Sequence, residues 1–262
     1  MPDFGAKDVK ALRDATGAGM MDAKKALTEA SGDAEAAAQL LREWGLSKAA
    51  KRSDRENTEG AVAMAAAGNK VAVVLLRSET DFSAKSEDFV AVAQKLADVA
   101  VAGGDPAVEC NEAIEDLKLT KKENIDIGSV ELVEAADGNE LDTYLHVQDG
   151  RGTIGIVVEG NGVDQDALHS IALHCAFANP TFLDRSQVSD DDVAKEREAL
   201  LEITKSEGKP EQAWDKIVDG RLTAWYKESV LLEQGLNGDK VSVADTAAPG
   251  TIVRFVQARI GA

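Results

Sequence analysis

The first 45 residues carry apolar side chains at the spacing of three short helices. Val9 and Leu12 illustrate this spacing in the first helix. Gly17-Ala18-Gly19 and Ser31-Gly32-Asp33 separate the segments, because glycine adopts the positive φ of a tight turn. Gly45 stands where a glycine that ends the third helix belongs. The sequence predicts helices at residues 7–16, 21–30 and 34–44.

Beyond residue 57 the pattern changes to the two-residue period of strands and forms two similar units. In each unit a turn dipeptide, Gly68-Asn69 or Asp149-Gly150, separates two strands, and a helix follows. Ser86 caps the first of these helices, and the second begins at about Asp164. The strands are predicted at residues 60–67, 71–77, 141–147 and 153–159. Two β-hairpin-plus-helix units predict an α+β core with antiparallel sheets.

Further segments complete the predicted architecture. Residues 125–136 add a strand to the first unit, and residues 251–260 add one to the second. Ser189 caps the first of two charged helices, and Pro210 suits the first turn of the other. We therefore expect a three-helix head at residues 1–55, a core N-subdomain at residues 56–139 and a core C-subdomain at residues 140–262.

The net charge of −18 over 262 residues is unevenly distributed. Residues 1–58 carry ten basic and ten acidic side chains, so the rest of the chain holds the whole acidic excess. This balance argues against general nucleic-acid binding, which needs clustered Lys and Arg. The longest apolar run, residues 61–67, is too short to span a bilayer, and the N-terminus lacks a signal-peptide pattern. We expect a cytoplasmic protein that binds neither nucleic acid nor a membrane.

No motif typical of an enzyme, a metal site or a cofactor site emerges. Residues 150–155 match the G-x-G-x-x-G pattern of dinucleotide sites, but they open a strand, so a hairpin turn is the better interpretation. His169 and His174 lie about 140° apart around a helix and cannot easily share a metal ion. The acidic residues 190–192 lack the spacing of a calcium loop. We expect no catalytic residues, no metal and no cofactor.

Met20 and Met21 stand at the turn between the first two helices, with Lys24 following closely. Methionine is pliable and common at binding surfaces, so this turn is a candidate contact site. Packing of both methionines into the small core of the head is an equally good interpretation.

Phe82 is the only large apolar residue in the segment 78–85, which joins a predicted strand to the helix capped by Ser86. We expect this segment to be a loop. A hydrophobic staple would stand at position 85, directly before the cap, so Phe82 is three positions too early for that role. Phe82 either folds back on the core or projects as an aromatic wedge into a partner's pocket. Asp81 beside it would then compete for donors or cations in that partner.

Several segments resemble one known family. Residues 16–27, TGAGMMDAKKAL, resemble the opening signature of the elongation factor Ts family. The predicted three-helix head around them resembles the ubiquitin-associated-like head of that family. The family's Thr-Asp-Phe segment is similar to residues 79–85, ETDFSAK, with Ser83 where valine is usual. Residues 171–180 and 207–222 also match family patterns, so the resemblance covers nearly the whole chain.

The resemblance implies a partner and a set of contact residues. The partner is elongation factor Tu, both GDP-bound and nucleotide-free, and the chain is its guanine nucleotide exchange factor, not an enzyme. By similarity, Asp81 and Phe82 enter near the nucleotide's phosphates and upset the Mg²⁺ site. The implied partner-binding residues are Thr80, Asp81, Phe82, Ser83, Met20, Met21, Lys24 and His146.

A binding adaptor is the alternative. In that case the three-helix head recognises a ubiquitin-like or other helical partner, the rest of the chain is a scaffold, and nothing in the chain affects GDP release. A hydrolase is disfavoured because no catalytic constellation is found in the sequence.

Overall fold

Three helices lead into a core of antiparallel strands and further helices. The computed structural model describes residues 4–261, with the backbone alone for residues 46–50. The helices are α1 (Ala6–Thr16), α2 (Met20–Glu29), α3 (Ala34–Ala50), α4 (Asp81–Ala84), α5 (Glu87–Val101), α6 (Pro106–Glu109), α7 (Asn111–Lys121), α8 (Gln165–Ala178), α9 (Asp190–Ser206), α10 (Trp214–Ser229) and α11 (Val243–Ala247). The strands are β1 (Glu59–Ala67), β2 (Lys70–Ser78), β3 (Asp126–Glu134), β4 (Asn139–Gln148), β5 (Arg151–Asn161) and β6 (Thr251–Arg259).

The head consists of the three helices that the sequence predicts. They enclose a small core that includes Leu12, Leu27 and Leu41. Gly17 follows α1 in the left-handed conformation, at φ 67°, and its amide bonds back to the carbonyl oxygen of Arg13. Glycine adopts this conformation without a steric penalty, which explains why α1 stops there.

α3 continues past Gly45, so the prediction that this glycine ends the helix is wrong. A Cβ atom at position 45 would lie 2.2 Å from Cδ2 of Leu119 on α7. Glycine therefore lets α3 approach α7, which lies in a stretch where the sequence predicts no element. Arg42 on α3 adds two ion pairs across the same contact, 3.3 Å from Glu112 and 3.2 Å from Asp116.

The six strands form one antiparallel sheet in the order β3-β2-β1-β5-β4, with β6 also paired to β5. The pairs Ala67 with Lys70 and Gln148 with Arg151 close the two hairpins at the predicted turns. β3 pairs with β2, and β6 pairs with β5, as predicted. The α+β fold class, with a three-helix head and an antiparallel core, is confirmed.

The two hairpins meet at a single residue pair, in which Val62 of β1 faces Gly152 of β5. A Cβ atom at position 152 would lie 2.2 Å from the Val62 carbonyl oxygen, so glycine permits this close approach. Asp149 and Gly150 have positive φ values of 52° and 80° in the β4–β5 turn, which confirms the hairpin interpretation of the glycine-rich segment. The domain boundaries at residues 55 and 139 stay a prediction, because strands from both core subdomains share this sheet.

Each unit has its own core between strands and a helix. α5 packs on β1 and β2 through a buried stripe that includes Phe89 and Leu96, and α8 packs on β5 through Leu168 and Ile171. These stripes agree with the predicted helical faces. Another cluster lies on the opposite face of the sheet and joins β1, β2, β3, β5 and β6: Val62, Val71, Val73, Val133, Val157 and Ala258.

The two predicted charged helices, α9 and α10, pack side by side before the last strand. Arg197 lies 2.7 Å from Asp219, and Arg221 lies 2.7 Å from Glu207. Ser189 caps α9 as predicted, since its hydroxyl oxygen accepts a hydrogen bond from the Asp192 amide. No helix in the described part of the chain is long and apolar enough to cross a bilayer.

Candidate functional site

Residues 78–85, here called the corner, connect β2 to α5. The prediction of a loop is wrong for residues 81–84, which form the single helical turn α4. Thr80 begins this turn with an extended backbone, at φ −126°, and its hydroxyl oxygen accepts a hydrogen bond from the Ser83 amide at 3.3 Å. A threonine in this position satisfies an amide that the first turn of a helix leaves without a partner. The sequence therefore builds a defined turn at the corner.

Phe82 projects from this turn into solvent. This residue is 85% exposed, whereas Ser83 and Ala84 are buried. Successive residues of a helix point about 100° apart, so burial of the next two residues directs Phe82 outward. Phe82 does not fold back on the core, and an exposed aromatic side chain on a rigid strand–helix connection is the arrangement that the wedge hypothesis requires.

The corner is held from the side by a carboxylate outside its own sequence. Glu123, which follows α7, accepts hydrogen bonds from the Thr80 amide at 3.1 Å and the Thr80 hydroxyl at 2.7 Å. It also accepts one from the Ser83 hydroxyl at 2.6 Å. On the strand side, the Ser78 hydroxyl donates to the Thr80 carbonyl oxygen at 3.0 Å. The backbone that carries Asp81 and Phe82 is thus fixed at both ends of the turn.

Lys85 connects the corner to the β4–β5 turn. Its ammonium group lies 2.8 Å from the carboxylate of Asp81 and 3.1 Å from that of Asp149. The hydrogen bond from Lys85 lowers the pKa of Asp81 below its usual value. The same bond to Asp81, followed by that to Asp149, raises the pKa of Lys85. Asp81 therefore carries its negative charge at neutral pH.

Met20 and Met21 are both on the surface of the head, so the interpretation that they pack into its core is wrong. These residues are 48% and 76% exposed at the start of α2, while Ala23 and Leu27 of the same helix fill the core. Lys24 is also exposed. These three residues form an apolar surface with a cationic neighbour, separate in the fold from the corner.

His146 lies on β4 and is exposed. Its Nδ1 atom lies 3.1 Å from the Tyr144 hydroxyl, and its strand partner is Ile154. The hairpin that carries it is the one whose turn residue, Asp149, binds Lys85 of the corner. The structure therefore links His146 to the corner through one hairpin, whereas the two methionines lie on a different element.

Comparison with known proteins decides the family. A family model described as Elongation factor TS matches residues 79–262. The Elongation factor Ts of Cutibacterium acnes is 45% identical to this chain, with 98% of each covered. The chain belongs to the elongation factor Ts family. The Elongation factor Ts of Deinococcus deserti is 37% identical, over 98% of this chain and 99% of the relative. The Elongation factor Ts of Mycolicibacterium gilvum is 39% identical, over 100% of this chain and 99% of the relative.

Membership of the elongation factor Ts family confirms the resemblance found in the sequence and gives the chain a role in translation elongation. The matched residues begin at Glu79 and so contain His146 and all of the corner except Ser78. The methionine-bearing head precedes them, within the part of the chain that the full-length relatives cover.

The other candidate residues have structural partners. The Asn237 amide donates to Nδ1 of buried His174, so Nε2 carries the proton and donates to Gln234. Burial lowers the pKa of His174. His169 lies at the surface beside Asp142. Among residues 4–261, no group of three or more His, Cys, Asp and Glu side chains is arranged to hold a metal ion.

Cys110 and Cys175 are buried thiols, and burial raises the pKa of Cys175 to about 12, which keeps it protonated and unreactive.

Glu123 is the site residue that the sequence did not predict. It stands in an ordinary polar stretch between α7 and β3, and no local pattern announces its bonds to residues about 40 positions earlier.

Proposed function

We propose that the chain is the guanine nucleotide exchange factor of elongation factor Tu, which it binds in the GDP-bound and nucleotide-free states. The observation that carries this proposal is Phe82, 85% exposed on a helical turn fixed at both ends, in a chain of this family. A phenylalanine side chain fully buried on binding contributes ~1.5–3 kcal/mol. Because hydrogen bonds already fix the backbone of the turn, binding does not have to order that backbone.

In this proposal Phe82 enters a pocket of elongation factor Tu near the phosphates of GDP. Asp81, negatively charged at neutral pH, competes for the donors and the Mg²⁺ ion that hold those phosphates. Thr80 lines the same entry, whereas Ser83 is buried and contributes by keeping the turn in shape. No covalent bond forms or breaks, so the activity needs no catalytic residue and no cofactor in this chain.

Release of GDP then follows from linkage between the two binding sites on the partner. A protein that binds nucleotide-free elongation factor Tu more tightly than the GDP complex must weaken GDP binding by the same factor. A 10⁴-fold preference corresponds to about 5.5 kcal/mol of weakened GDP binding. GTP then fills the emptied site.

The remaining implied residues supply affinity in this scheme. Met20 and Met21 offer exposed apolar area, and Lys24 offers a charge beside them, for contact with the nucleotide-binding domain of elongation factor Tu. His146, on the hairpin linked to the corner by Lys85 and Asp149, adds a further contact.

The test is the rate at which labelled GDP leaves elongation factor Tu when the chain is added. We expect Phe82→Ala to slow stimulated release roughly 10- to 100-fold, since it deletes ~1.5–3 kcal/mol of apolar contact made in the complex. Phe177→Ala is the matched control, because Phe177 is 83% exposed on α8 and does not belong to the corner, so we expect its loss to leave the rate unchanged.

Two outcomes would contradict the proposal. Equal release rates with Phe82→Ala and the unchanged chain would remove the wedge. No stimulation of GDP release by the unchanged chain, despite binding of some other helical or ubiquitin-like partner by the head, would favour the adaptor.

A further inference from the structure

Glu123 occupies a fixed position between α7 and β3. Lys122 ends α7 in the left-handed conformation, at φ 60°, and its amide bonds to the Lys118 carbonyl oxygen. On the other side, the Asn124 amide donates to the carboxylate of Glu79 at 2.6 Å. The Asn124 side chain also donates to the Arg55 carbonyl oxygen at 2.7 Å. The backbone of Glu123 is therefore held on both sides, so its carboxylate has a defined position from which it can bind the corner.

The carboxylate of Glu123 accepts three hydrogen bonds, all from the corner. The Thr80 amide bonds to Oε2, and the hydroxyls of Thr80 and Ser83 bond to Oε1. Because the Thr80 hydroxyl gives its proton to Glu123, its oxygen is left to accept from the Ser83 amide and cap α4. Hydrogen bonds to an ionised carboxylate are stronger than those between neutral groups. The side chain of Glu123 thus holds both Thr80, which caps α4, and Ser83 within this single turn.

We propose that Glu123 is the positioning residue of the corner, which holds Thr80 and Ser83 so that Phe82 and Asp81 project toward the partner. The effect of Glu123 on GDP release rests on the proposed exchange function, whereas its hydrogen bonds to the corner do not. Glu123 contacts neither the nucleotide nor the partner in this account. Its effect on GDP release passes through the orientation of Phe82 and Asp81.

The same helix connects the corner to the head. α3 packs against α7 where Gly45 approaches Leu119, and Arg42 of α3 pairs with two carboxylates of α7. Glu123 follows the last turn of α7 directly. The helix that positions the corner through Glu123 is therefore also the one on which the methionine-bearing head rests.

The first arm of the test is hydrogen exchange of backbone amides in the free chain, which does not depend on the exchange function. In Glu123→Ala we expect the amides of Thr80 and Ser83 to exchange about tenfold faster or more, while the central amides of α5 are unchanged. Glu115→Ala is the control, since Glu115 lies on the same helix and pairs with Lys118 instead of the corner. Unchanged exchange at Thr80 and Ser83 would overturn the proposal.

The second arm is a double-mutant cycle on stimulated GDP release. We expect Glu123→Ala to slow release about tenfold in the unchanged chain and to have no further effect in a background that carries both Asp81→Ala and Phe82→Ala, because a residue that acts only through others adds nothing once those are removed. An equal loss in both backgrounds, or full release activity in Glu123→Ala despite loosened amides, would overturn the positioning role.

A conservative variant keeps the test decisive if Glu123→Ala fails to fold, as judged by its circular dichroism. Glu123→Gln retains an oxygen for the two hydroxyl protons but presents an amide to the Thr80 N–H, so we expect intermediate exchange and intermediate release. Wild-type behaviour in both arms would contradict the proposal. Failure of the unchanged chain to stimulate release would refute the proposed function, and the amide arm alone would then decide whether Glu123 holds the corner.

Discussion

Phe82, Met21 and Met20 expose apolar surface at the positions where the family resemblance implies contact with a partner. Exposure alone is common on protein surfaces and does not mark a site. Phe177, which is 83% exposed on α8, has no implied role. The feature that separates Phe82 from it is the set of hydrogen bonds that fixes the turn around Phe82.

At the same scale, Met21 tests the contribution of the head. We expect Met21→Ala to weaken binding to elongation factor Tu roughly tenfold, because it removes part of the ~1.5–3 kcal/mol that a buried methionine provides. The rate of GDP release at saturating chain stays unchanged, since Met21 lies away from the corner. Titration of stimulated release against chain concentration separates the two quantities.

Val108→Ala is the matched control for this measurement, because Val108 is 71% exposed on α6 and carries no implied contact. An unchanged half-saturating concentration for Met21→Ala, or an equal rise for Val108→Ala, would contradict the role of the head.

The sequence singled out Phe82, because its distance from Ser86 is a local property, but it left open whether Phe82 folds back on the core or projects. Ser86 does precede α5, although its hydroxyl donates to the Ser83 carbonyl oxygen and makes no capping bond. Glu123 could not be inferred from sequence, since its partners Thr80 and Ser83 are about 40 residues away and only the fold brings them together. Met20 and Met21 gave two equal interpretations, because the start of a helix has too few residues to define which face is buried.

Among the elements, periodicity was sufficient for the long strands and for α5 and α8. The single-turn helix α4 was missed, because four residues are too few to display a helical period. The end of α3 was wrong for another reason. Gly45 serves the approach of Leu119, and a glycine in sequence looks the same whether it ends a helix or admits a neighbour.

The junction of the two hairpins gives a prediction at this scale. We expect Gly152→Ala to lower the free energy of unfolding by ~1–3 kcal/mol, because its Cβ atom would meet the Val62 carbonyl oxygen. Gly220→Ala is the opposite control. Gly220 lies inside α10 with open space around it, so alanine stabilises the helix by ~0.5–1 kcal/mol. Urea unfolding measures both changes, and a neutral Gly152→Ala would contradict the role of the junction.

Across the whole molecule, the corner is a meeting point of distant parts of the chain. Glu123 ties it to α7, and through α7 to the head, while Lys85 ties it to the β4–β5 turn near His146. The fold class and the family followed from the sequence, because the hairpins, helices and signature segments are local. The single sheet and the bonds around the corner did not, because they join residues far apart along the chain.

The net charge of −18 is consistent with a partner surface made of protein, not of nucleic acid. In the exchange proposal the chain and GDP bind the same partner and weaken each other's binding, so the most direct test is an affinity.

That measurement is the affinity of the chain for elongation factor Tu with and without saturating GDP. Exchange by linkage predicts tighter binding to the nucleotide-free partner, by about 100-fold or more, which corresponds to ~2.8 kcal/mol or more. Equal affinities in the two conditions would contradict the account, because a protein without a preference between the two states cannot displace the nucleotide.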